Sequence, residues 1–188
     1  VIAGEHGALD RAAVAAKEAG AAFVAMTGFG ERDRDRLAHA AAFGVDLTID
    51  VATDDPATAL KHATGGLADI VVDVTAKAPT AFAQGVALAR PGATMVVAGT
   101  RGGGGAPGFE PDHVVYKELH VVGSLGVDYP AYRAAIDLLA ARRWPFEQLS
   151  RQVVGFDELP SLLDVMSGAD TSTAPPLPSA PSAARAPS

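Results

Sequence analysis

The sequence predicts an α/β fold with a doubly wound, parallel, six-stranded sheet. Three observations carry that reading. Short apolar runs alternate with alanine-rich stretches of helical length. The runs are continuous rather than alternating, as in strands covered on both faces. Hydrophobic residues make up 48% of the 188 residues and charged residues 20%, enough apolar material for the core of one domain.

The elements follow in order. Residues 1–3 end a first strand, and residues 8–19 form a helix that stops at Gly20, a suitable C-terminal cap. Residues 22–27 (AFVAMT) are a second strand. Residues 31–43 are a helix with Leu37, Ala40 and Ala41 on one face, ending at Gly44. Residues 47–51 are a third strand. Asp55 and Pro56 open a helix that runs to about Thr64, with proline in its first turn. Residues 69–75 (DIVVDVT) are a fourth strand, 79–89 a helix closed by Arg90-Pro91-Gly92, and 94–99 (TMVVAG) a fifth strand. After the loop Gly102–Gly105, a short helix at 113–117 leads to a sixth strand at 119–124. Crossovers between the parallel strands are expected to be right-handed.

Beyond Val127 the alternation stops. A helix at 130–142, a candidate strand at 150–154 and a helix at 157–166 complete no further βαβ unit. Residues 169–188 are almost wholly Ala, Pro, Ser and Thr and are expected to stay disordered. The chain opens with Val1 inside an apolar run, so further residues are expected upstream.

Composition excludes several functions. The net charge of −7 argues against a protein that grips nucleic acid by neutralising phosphates. With no cysteine there are no disulfides, thiolate zinc sites or cysteine nucleophiles. No run approaches the ~18 apolar residues of a membrane span. There is no G-x-S-x-G elbow, no P-loop and no Tyr-x-x-x-Lys pair at Tyr116. His39 and His62 sit in helices as surface residues, and the five histidines show no metal-ligand spacing.

The first strand–turn–helix carries most information. In a dinucleotide-binding fold this turn holds a pyrophosphate against the helix N-terminus, on free N–H groups. The turn here runs Gly4, Glu5, His6, Gly7, Ala8, Leu9. Gly4 fills the first glycine position of G-x-G-x-x-G, but His6 and Leu9 stand at the second and third, and Glu5 adds negative charge. The same turn also reads as one that merely caps a helix. At the end of the second strand an acid would hold the ribose of NAD. Thr27-Gly28 stand there instead, with Arg32, Arg34 and Arg36 beyond. A small residue with a nearby arginine leaves room for the 2′-phosphate of NADP. The alternative is a solvated helix start of mixed charge. The ends of the later strands, Val74-Thr75, Ala98-Gly99-Thr100 and Ser124-Leu125, form one rim on the ligand side of such a sheet.

Several segments together resemble one family. They are residues 15–21 (AAKEAGA), Arg36-Leu37-Ala38 with Phe43-Gly44-Val45-Asp46, residues 68–75 (ADIVVDVT) and residues 88–93 (LARPGA). Lys117-Glu118-Leu119 with Gly123-Ser124-Leu125-Gly126, and residues 156–163, complete the set. The sequence resembles the C-terminal half of the medium-chain dehydrogenase/reductases, the zinc-type alcohol dehydrogenases, from Val1 to about Gly168. The resemblance implies a Rossmann sheet in the order 3-2-1-4-5-6 and hydride transfer between NAD or NADP and an alcohol or carbonyl; Thr27-Gly28 with the following arginines favours NADP.

It further implies a cofactor domain at 1–128 and, at 129–168, a helical segment that normally packs on the catalytic domain. Leu138, Leu139, Leu162 and Leu163 are candidates there for exposed apolar surface. Homodimerisation through strand 119–124 is implied, as is a cytoplasmic enzyme without nucleic-acid or membrane partners. Gly4 to Leu9 would line the pyrophosphate, Thr27, Gly28 and Arg32 the adenosine ribose, and the later strand ends the nicotinamide. Zinc belongs to the intact family member, and its ligands are not in these residues. No catalytic acid or base is legible, so this stretch alone is expected not to turn over an alcohol. The competing reading is a degenerate, non-catalytic Rossmann domain that serves as a dimerisation or binding module. A methyltransferase is disfavoured by the missing acid after the second strand.

Overall fold

The computed structural model describes residues 1–4, 8–76, 78–103, 105–149 and 155–167. The chain divides into two compact units, Val1–Leu149 and Ser150–Ser188. In the second, a 3-10 turn at Phe156–Glu158 leads into a helix, Leu159–Ser167. The candidate strand at 150–154 and the tail at 169–188 lie outside the described residues.

The first unit is built on one parallel sheet. Its strands are β1 (Ile2–Gly4), β2 (Ala25–Gly28), β3 (Leu47–Asp50), β4 (Ala68–Val74), β5 (Ala89–Val97) and β6 (His120–Gly123). They lie in the order β3-β2-β1-β4-β5-β6. Gly4 of β1 stands beside Val74 of β4, and Val97 of β5 beside Gly123 of β6. The helices between them are α1 (Ala8–Glu18), α2 (Gly30–His39), α3 (Pro56–Thr64), α4 (Ala81–Leu88) and α5 (Asp112–Tyr116).

The sheet is covered on two sides, and the residues say why. Ile2, Ala13, Val24, Met26, Ala40 and Val45 form one buried cluster, where α1 and α2 close on the sheet. Leu60, Val71, Val86, Leu88 and Met95 form another, where α3 and α4 do so. Adjacent residues of β2 divide between them, Ala25 to one and Met26 to the other, because successive side chains of a strand face opposite ways. Asp55 caps α3, its Oδ2 accepting the Thr58 N–H at 2.8 Å, with Pro56 at the first helical position.

Three local expectations change. The helix read over 31–43 ends as an α-helix at His39 and finishes as a 3-10 turn, Ala40–Phe43. Arg90-Pro91-Gly92, read as a closing turn, lies inside β5, which starts directly after α4. Pro91 has no N–H for a ladder bond, and the β4–β5 register shifts between Ala68 and Ile70. The Gly92 N–H donates instead to the Lys117 carbonyl at 2.7 Å. Coverage on both faces fails at β6, an edge strand whose four residues are all exposed.

After β6 comes α6 (Tyr129–Ala140), capped by Asp128. Tyr129, Tyr132, Ile136 and Leu139 of this helix are exposed. The segment beyond it folds back onto the sheet side: Trp144 Nε1 donates to Glu18 at 2.8 Å, and Phe146 meets Phe43 at 6.2 Å between ring centres.

Candidate cofactor site at the carboxyl ends of the strands

β1 runs between β2 and β4, so the chain leaves its carboxyl end at the point where the sheet changes direction. Such a switch point is where open α/β sheets bind ligands. Gly4 is the last residue of β1, and Ala8 and Leu9 open α1. Glu5, His6 and Gly7, which complete the expected phosphate loop, lie outside the described residues. In the first turn of α1, Asp10 is buried. Burial pushes its carboxyl above the usual range, against the opposing pull of Arg36, Arg11 and His39.

At the end of β2, Thr27 and Gly28 are both buried and Phe29 is exposed. Asp33, in the first turn of α2, turns back under this end. Its Oδ2 accepts the Phe29 N–H at 2.8 Å, and its Oδ1 lies 3.1 Å from Arg36 Nη1 and 3.9 Å from Arg32 Nε. Gly28 makes this possible, since a β-carbon there would come within 2.9 Å of the Asp33 Cβ. Asp50, at the end of β3, accepts the Gly30 N–H at 2.8 Å and the Ala52 N–H at 2.9 Å. Those two N–H groups hold its carboxyl below the usual range.

An acid therefore does lie near the second strand end, but Asp33 is buried and spent on the turn. Of the nearby arginines, Arg36 is drawn inward, its side chain 14% exposed, while that of Arg32 is 54% exposed. Arg34 pairs with Glu31.

The rim at β4 and β5 is tied more tightly than the sequence suggested. Asp73, in β4, is completely buried. Its carboxylate accepts the Thr75 N–H at 3.0 Å and the Thr75 hydroxyl, and Arg101 Nη2 lies 2.5 Å away. Arg101 Nη2 also donates to Thr75 Oγ1 at 3.1 Å. The Thr75 hydroxyl is thus turned into the protein rather than towards a ligand. The Asp73 carbonyl accepts the Ala98 N–H at 2.8 Å and the Gly99 N–H at 3.2 Å. A β-carbon on Gly99 would overlap the Thr75 backbone, so only glycine admits this approach.

Ala98 and Thr100 are exposed on either side of Gly99, and Val74 is half-buried. Ser124 N donates to the Val97 carbonyl at 2.9 Å, which extends the rim past β6 to Leu125, 91% exposed.

Sequence reasoning missed the Asp73–Arg101 pair. Its signal was a charge in the middle of an apolar run, Asp73 within DIVVDVT.

The family model described as "Zinc-binding dehydrogenase" matches residues 11–141. The chain belongs to the zinc-binding dehydrogenase family. It is 65% identical, over 158 residues, to a probable alcohol dehydrogenase of Mycobacterium tuberculosis, covering 84% of this chain and 43% of that protein. The chain thus spans under half the length of the curated relatives it matches.

Among solved structures it resembles an alcohol dehydrogenase of a Thermus species, with a TM-score of 0.76 and 19% identity over 89% of this chain and 47% of that one. It also resembles an Escherichia coli protein described as a short chain alcohol dehydrogenase, solved with NADH, with a TM-score of 0.73 and 18% identity over 88% of this chain and 47% of that one. At these identities the likeness is one of fold, an α/β Rossmann-like fold with parallel strands.

The family name implies zinc. Among the described residues no three His, Cys, Asp or Glu side chains gather as metal ligands, so these residues do not fit that ion. No described helix is long and apolar enough to cross a membrane.

Proposed function

We propose that this chain is the nicotinamide dinucleotide-binding part of a zinc-type alcohol dehydrogenase that acts on an alcohol or carbonyl. One observation carries the reading: the chain leaves β1 for α1 at Gly4, at the switch point of the sheet, with the ends of β2, β4 and β5 beside it. The residues suit such a ligand in parts. The N-terminus of α1, which opens at Ala8 after β1 ends at Gly4, would present its N–H groups to a pyrophosphate. The end of β2, Thr27-Gly28, is where the adenosine ribose would lie, with Arg32 at its edge.

NADP is favoured over NAD. Asp33 is engaged inward and would not compete with a 2′-phosphate, while the half-exposed Arg32 would attract one. Val74, Thr75, Ala98, Gly99, Thr100, Ser124 and Leu125 would border the nicotinamide, and of these Ala98 and Thr100 are exposed beside Gly99. The bound nicotinamide supplies the hydride chemistry, and the domain supplies orientation.

The alcohol pocket and zinc ligands would come from the part of the relatives' length that this chain does not span. These residues alone would therefore not oxidise an alcohol. The exposed face of α6, with Tyr132, Ile136 and Leu139, would pack on that remaining polypeptide. The edge at β6 would pair with a second copy, since among the described residues its main-chain groups face no further strand in the sheet.

Calorimetric titration with NADPH and NADH tests the reading. Binding tighter than about 100 μM, worth about −5.5 kcal/mol, is expected, with NADPH the tighter ligand. An absence of binding to both would overturn it.

A further inference from the structure

The carboxyl ends of β4 and β5 are fastened by side chains as well as by the sheet. Asp73 is completely buried and its carboxylate would be costly there without a counter-charge. Arg101 supplies that charge from the loop beyond β5, 28 positions along the chain, at 2.5 Å. The Arg101 guanidinium also lies 5.8 Å from the centre of the Phe82 ring of α4. Phe109, at the far end of the same loop, meets that ring edge-on at 4.8 Å. Both ends of the segment from Arg101 to Phe109 are thereby seated on one aromatic side chain. Arg101 directly follows Thr100, so wherever the guanidinium is held, the main chain at Ala98-Gly99-Thr100 is held with it.

We propose that Arg101 is a positioning residue for the nicotinamide end of the bound dinucleotide. Locked onto Asp73 and Thr75, it sets the backbone at Ala98–Thr100 against which the nicotinamide rests. It acts through that backbone and touches no reacting atom. The inference rests on the cofactor-domain reading above and assigns a task within it. Its consequence is selective: Arg101 serves the nicotinamide half of the ligand and leaves the adenosine half, at β1 and β2, alone.

The test compares whole dinucleotide with the same molecule lacking nicotinamide, on the full 188-residue chain. NADPH is paired with 2′-phospho-ADP-ribose, or NADH with ADP-ribose, whichever pair binds more tightly. In Arg101→Met, affinity for the whole dinucleotide is expected to fall about tenfold or more, and that for the truncated ligand to stay within about twofold. Arg101→Lys keeps the counter-charge and is expected to recover most of the loss. Should Arg101→Met not fold, the double variant Asp73→Asn with Arg101→Met removes both buried charges together and decides the matter by the same comparison.

Equal losses for both ligands, no loss in either, or a lysine variant no better than methionine would overturn the assignment. If the unsubstituted chain binds the truncated and whole ligands equally, nicotinamide is not held and the assignment again fails. If it binds neither, the cofactor-domain reading itself fails, and this inference with it.

Discussion

The Asp33 carboxylate, in the first turn of α2, accepts the N–H of Phe29, four residues earlier, at 2.8 Å. This bond closes the turn that follows the second strand, where the adenosine ribose is proposed to lie. The same carboxylate holds Arg36 inside the protein. Asp33→Ala would remove the bond to Phe29 and the ion pair to Arg36. A loss of about 1–3 kcal/mol in urea unfolding is expected. A change under about 0.5 kcal/mol would show that the pair is idle.

Asp10 gives a pH prediction of opposite sign to Asp46, Asp50, Asp55 and Asp69, whose carboxyls are held below the usual range. Burial raises its pKa in the folded chain. The native state therefore holds that proton more tightly than the unfolded one. The stability this provides is complete in acid and is lost as pH rises through the folded pKa. Asp10→Asn should raise the urea midpoint at neutral pH, and the gain should vanish below the usual carboxylate pKa of about 3.9. A gain that grows towards acid would contradict the assignment.

Asp55 is the plain contrast. The Thr58 side chain and N–H hold its carboxyl below the usual range, so its stabilisation is present above the ordinary carboxylate pKa and lost as pH falls through the folded value. Asp55→Ala should lower the thermal and urea midpoints at neutral pH through loss of the α3 cap.

Gly99 should tolerate no side chain. Gly99→Ala is expected to cost about 1–3 kcal/mol, because the new carbon meets the Thr75 backbone rather than a movable side chain. Gly66→Ala, at a glycine with open space around it, is the control and should change stability by less than about 0.5 kcal/mol.

The α/β class and the parallel pairing were legible because they rest on local signals. Apolar runs such as residues 95–97 read as covered strands, and Asp55-Pro56 announces a helix start within two residues. What was illegible depends on partners far apart in the chain. Arg101 reads as a loop residue until the fold brings it to Asp73.

Lys117 is similar. In the sequence it belongs to a motif of no evident purpose. In the fold its ammonium donates to the carbonyls of Val86 at 2.7 Å, Ala87 at 3.2 Å and Ala89 at 2.9 Å, closing the C-terminal end of α4. The candidate site was legible at the strand ends, but Thr75 shows the limit of that reading: the hydroxyl is there, and the fold spends it on Asp73.

The dinucleotide is proposed to lie across the carboxyl ends of these strands. Amide chemical shifts of the labelled chain, followed during titration with NADPH, decide this. The largest changes are expected at Gly4, at Gly28–Phe29 and at Ala98–Thr100, with little at Asp46, Gly65 and Gly92 at the opposite end of the sheet. Changes confined to that opposite end, or to α6, would contradict it.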